Sequence, residues 1–76
     1  MWADIRYNFE YFLKLYPNEV GYRHNYARFA GYAGDHEEFM RQVKLFPSTN
    51  FAYFGGVDRF NQQVERAQQH IKKERK

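Results

Sequence analysis

The chain has 76 residues with no cysteine and a formal charge of +3, from twelve Lys/Arg against nine Asp/Glu. That length makes one small domain burying about 60–65% of its unfolded surface, and the missing cysteines exclude disulfides, thiolate nucleophiles and thiolate metal ligands. Eight Phe, seven Tyr and one Trp within a 43% apolar composition argue against disorder throughout.

Ile5, Phe9, Phe12, Leu13 and Tyr16 recur at helical spacing behind Asp4. They predict a first helix over residues 3–16 with one apolar face. Pro17 stops it, and Asn18 is placed to cap the next helix. A second helix from 19 or 20 to 33 carries Tyr22, Tyr26, Phe29, Ala30 and Ala33 on its buried side, with His24 opposite. Ala27 and Gly31, four apart, mark a place where another backbone can approach closely. Gly34 supplies a left-handed stop, and Asp35 with Glu38 has the spacing of a capping box.

Phe39, Met40, Val43 and Phe46 give a third helix over 36–46 its apolar stripe. The short Gly34-Asp35 connection makes helices two and three an antiparallel hairpin. Pro47-Ser48-Thr49-Asn50 is the next break. Phe51–Phe54, ahead of Gly55-Gly56, fits a helical turn, a short separate helix or an aromatic loop plugging the core; the sequence leaves all three open. Val57, Phe60, Val64, Ala67 and Ile71 show the clearest helical spacing in the chain. They predict a fourth helix from 58 to 72 or beyond, with Asp58 as N-cap and a basic tail at 73–76 that frays. The expected fold is all-α, a single domain over residues 1–72 of about four helices arranged as antiparallel hairpins.

A partial repeat runs through these elements. Leu15-Tyr16-Pro17-Asn18 returns thirty residues later as Leu45-Phe46-Pro47-Ser48, and Arg28-Phe29 returns thirty-one residues later as Arg59-Phe60. The run Gly34-Asp35-His36-Glu37-Glu38-Phe39, followed by Val43, Phe46 and Pro47, resembles the junctions of tetratricopeptide repeats. Leu13-Lys14-Leu15-Tyr16-Pro17-Asn18 looks like the end of a preceding repeat unit. The resemblance spans residues 5–60 and implies stacked helix pairs that contact other proteins and carry no chemistry of their own. Phe39 stands where that family prefers Ala, and a small orthogonal bundle satisfies the same periodicity.

Residues 1–64 hold seven Lys/Arg and seven Asp/Glu, so the whole charge excess lies in residues 65–76. Cations suit the C-terminal end of a helix, and that role competes with a nucleic-acid contact. His24, His36 and His70 are far apart in sequence and form no His-Glu-x-x-His pattern, so neither a metal nor another cofactor is expected. Glu37 and Glu38 are adjacent and diverge on a helix; favourable charge in a first helical turn accounts for them. Ser48 and Thr49 suit capping, and Gly55-Gly56 lacks the framework of a phosphate loop. No enzyme is expected.

Binding has better candidates. Tyr22, Arg23, Tyr26 and Arg28 combine rigid aromatic area with hydrogen-bond donors, the composition of interface hot spots, or else the tyrosines pack and the arginines solubilise. The resemblance places helix two along the inner groove of a repeat. Phe51 and Phe54 form a second contact surface or a core plug. The expected function is a non-catalytic scaffold that binds a protein partner or itself, its terminal faces covered by homo-oligomerisation or by the rest of a longer helical-repeat polypeptide. The alternative is a small nucleic-acid-binding domain that uses the Arg/Tyr face and the basic C-terminus. The start Met1-Trp2-Ala3-Asp4 has no basic-then-apolar leader and no run approaches the ~20 apolar residues of a membrane span, so a cytoplasmic location is expected.

Overall fold

The computed structural model describes residues 1–74; Arg75 and Lys76, the end of the basic tail, lie outside the described residues. The chain forms α1 (Trp2–Leu15), α2 (Val20–Tyr32), α3 (His36–Lys44) and α4 (Val57–Glu74), with a 3₁₀ turn at Phe51–Phe54 ahead of the last helix. The all-α organisation read from the sequence is the one observed. Lys73 and Glu74 are part of α4, where a frayed tail was expected from residue 73.

The stops have local causes. Gly34 takes φ 76° beyond α2 and donates its N–H to Gly31 O, while Asp35 N–H reaches Ala30 O. These two bonds make a Schellman closure, which only a residue tolerant of positive φ completes without strain. Asp35 then caps α3 by accepting the N–H of Glu38 at 3.2 Å. The reciprocal half of the capping box is missing, because the Glu38 side chain turns inward. At the start of α2 the N-cap is Glu19 without a side-chain bond, not Asn18. Asp58 sits inside the first turn of α4 instead of capping it. Asn50 caps the 3₁₀ turn by accepting from Ala52 N–H at 3.1 Å, and Gly55 closes it at φ 85°.

Helices α1 and α2 run antiparallel, with Phe12 against Tyr22 and Phe9 stacked on Tyr26 at 5.0 Å. Helices α2 and α3 also run antiparallel, since Arg23 near the start of one bonds Gln42 near the end of the other. Helix α4 packs on α3 and on the 3₁₀ turn. One core cluster joins Ala27, Ala30, Phe39, Met40, Phe54, Phe60 and Ala67, and a second joins Phe9, Leu13 and Tyr26. Trp2 packs against both.

Several faces differ from the periodicity. His24, placed opposite the apolar side, is buried, while Phe29 and Ala33, placed on that side, are exposed. The reason is that α2 is flanked by α1, α3 and the 3₁₀ turn, so it has no single buried stripe. Ile5, Tyr16 and Val57 are also exposed where burial was expected. At Gly31 the close neighbour is the Phe39 ring, 3.5 Å from where a Cβ would stand, not a backbone. Of the three forms open to residues 51–54, the chain adopts the short 3₁₀ turn, with Phe54 plugged into the core.

Candidate functional site

The residues nominated from sequence separate into three groups. Tyr26 and Phe54 are buried, so their area serves packing and is withdrawn from any surface. Tyr22 is half-buried between Phe9 and Phe12, and Arg23 is tied to Gln42 Oε1 at 2.8 Å and to Pro17 O at 3.2 Å. Arg28 and Phe51 remain exposed. Arg28 lies over the ring of Tyr32, its Nε donating to the Tyr32 hydroxyl at 3.1 Å.

A polar lattice fills the junction of α1, α2 and α3. Glu38 is only 2% exposed, yet its carboxylate accepts from Arg6 at 3.2 Å, Arg41 at 2.7 Å and Gln42 at 2.7 Å. Burial of a carboxylate is tolerable only with such compensation. Asp35 caps α3 with one oxygen and accepts the Trp2 indole N–H with the other at 2.9 Å. Tyr26 donates its hydroxyl to Glu10 at 2.7 Å, and Arg6 donates to the same carboxylate oxygen. Burial, then the Glu10 carboxylate, pushes the Tyr26 phenol well above its usual range. The Tyr26 hydroxyl, then Arg6, holds Glu10 below the usual carboxylate range, with burial opposing. Every member bonds another member, so the lattice ties α1 to the α2–α3 hairpin.

His24 is equally consumed. Its Nδ1 donates to Val20 O at 2.8 Å, its Nε2 accepts the Asn50 N–H at 2.9 Å, and its ring stacks on Phe46. His36 and His70, distant in sequence, stack face to face with centroids 4.2 Å apart. That parallel stack does not converge their nitrogens on one point, and among the described residues no three His, Asp or Glu side chains gather as a metal-ligand set.

Three outward features stand out among the described residues. The far side of α1 carries Tyr7, Tyr11 and Leu15, one turn apart, 66%, 57% and 56% exposed, with the two tyrosine rings stacked at 6.4 Å. Between α3 and α4 lies an open groove of about 790 Å³ with Met40, Leu45 and Ile71 among Arg41, Lys44 and Lys72. A smaller groove of about 340 Å³ runs between α2, the 3₁₀ turn and α4, with Arg28 and Arg59 in its walls. The α1 stripe was missed in the sequence because the stronger stripe of Phe9 and Leu13 on the same helix masks its four-residue spacing.

No family model, no curated protein and no solved structure matches the chain. Among the described residues, no helix is long and apolar enough to cross a membrane.

Proposed function

We propose that this chain is a non-catalytic helical scaffold that pairs with a second copy of itself through the outer face of α1. The observation that supports this reading is that α1 is apolar on opposite sides. Phe9 and Leu13 face α2, while Tyr7, Tyr11 and Leu15 face outward. A second apolar face on a helix whose first face is already packed marks a surface for another molecule to cover. In tetratricopeptide-like stacking, the outer face of an end helix is likewise where the next helix lies.

The stripe is self-complementary about the level of Phe9. Tyr7 and Tyr11 lie two residues either side of that level, and Asp4 and Lys14 lie five either side. A two-fold axis there sets Tyr7 of one copy against Tyr11 of the other, and Asp4 at the height of Lys14. Such an isologous contact closes as a dimer and leaves no open end.

Sedimentation over a concentration series tests it. The wild type should approach twice its 9.3 kDa mass. Tyr7→Glu and Tyr11→Glu should each raise the dimer dissociation constant at least about tenfold, worth about 1.4 kcal/mol, while the helical circular dichroism is retained. A wild type that stays monomeric into the millimolar range defeats the proposal.

A further inference from the structure

We infer that the groove between α2, the 3₁₀ turn and α4 is a carboxylate-binding site that takes an acidic peptide segment through Arg28 and Arg59. It goes beyond the pairing proposed for α1 and shares no residue with that face. The two arginines are the echoed positions of the Arg-Phe repeat, thirty-one residues apart in sequence, and the fold delivers them to one groove of about 340 Å³.

Both side chains are positioned before any ligand arrives. Arg28 is held by the Tyr32 hydroxyl and ring face. Arg59 lays its stem over Gly55, where an added Cβ would stand 2.8 Å from the Arg59 Cδ. Gly55 therefore does two things: it adopts φ 85° and it leaves room for that stem. Gln63 at the groove wall has its amide committed to Phe54 O at 3.2 Å. The positive charge of the groove is uncompensated. Neither guanidinium has a carboxylate within 4.0 Å among the described residues, and no acidic side chain lines the walls.

Two planar guanidinium groups select oxyanions, which they bind bidentately. A peptide suits the groove better than a nucleic acid for two reasons. Only two cations line it, too few for a backbone-tracking surface. Ala52 and the half-buried Tyr53 add apolar wall beside the charges, which matches an acidic side chain next to an apolar one.

The test is an NMR titration of the ¹⁵N-labelled full chain with an acetylated, amidated peptide of alternating Glu and Leu. Saturable shifts should centre on the amides of Arg28, Tyr32, Gly55, Arg59 and Gln63. The dissociation constant should rise at least about tenfold in Arg28→Gln and in Arg59→Gln, and stay within about twofold in Lys73→Gln at the far end of α4. If Arg59→Gln unfolds, Arg59→Lys keeps a stem over Gly55, loses the bidentate contact and should show the same weakening. Three results would overturn the site: no saturation, equal weakening by Lys73→Gln, or tighter binding of inorganic phosphate or a single-stranded oligonucleotide at the same amides.

Discussion

His24 holds the backbone of Asn50, 26 residues further along the chain, by accepting its N–H on Nε2 at 2.9 Å. Because Nε2 accepts that N–H, Nδ1 is the nitrogen that donates to Val20 O, and both nitrogens are used. One side chain of α2 thereby fixes the entry to the 3₁₀ turn, which in turn seats Phe54 between Phe39 and Phe60.

Replacing His24 by Phe keeps the stack on Phe46 but strands the Asn50 N–H. The expected loss is about 0.5–1.5 kcal/mol, the net worth of one partly buried hydrogen bond. Denaturant unfolding measures it, and a midpoint equal to wild type would contradict the role assigned to the ring.

The Tyr26–Glu10 bond sets limits on both sides of neutral pH. Glu10 is held below its unfolded value, so its contribution is present above about pH 4.3 and is lost as pH falls through the lowered folded value. Tyr26 is raised, so its contribution is complete below about pH 10 and is lost as pH rises further. Ultraviolet titration should show one of the seven tyrosines ionising only with alkaline unfolding. In Tyr26→Phe that late component should vanish; its survival would assign it elsewhere.

Arg6 and Glu38 should be energetically coupled across α1 and α3. Arg6 is half-exposed, so Arg6→Ala is expected to cost a modest ~1–2 kcal/mol, chiefly by leaving Glu38 short of charge. In a Glu38→Gln background the same change should cost under about 0.5 kcal/mol. A double-mutant cycle gives the difference, and additive losses would mean the two side chains act independently.

Gly34 and Gly55 should respond differently to alanine. Both have positive φ, which costs an L-residue about 1–2 kcal/mol. Gly34 has open space around its missing Cβ, whereas at Gly55 the Arg59 stem must also move. Thermal melts should therefore rank Gly55→Ala below Gly34→Ala, and the reverse order would remove the stem contact from consideration.

The sequence carried the architecture where a single face decides burial. Phe60, Ala67, Val64 and Ile71 of α4 lie against the core as their spacing implied, and Gly34 ends α2 as its chemistry required. It failed on α2, where three neighbouring elements bury His24 and Ala27 at different angles and leave Phe29 outside. Periodicity assumes one partner, and α2 has three. Glu38 was read as a capping-box member and a favourable charge in a first helical turn, because its partner Arg6 becomes visible only once α1 is docked. Of the nominated contact residues, Arg28 and Phe51 stand at the surface, while Tyr26 was claimed by a partner on α1 whose register no local pattern encodes.

Trp2 is the lone indole in the chain, and its N–H is fastened to Asp35 beside the Tyr26 ring. Its emission is thus a built-in gauge of one event, the docking of α1 on the hairpin. Detachment of that helix would shift the fluorescence to the red while the remaining helices still absorb circularly polarised light, which lets a partial opening be timed separately from global melting.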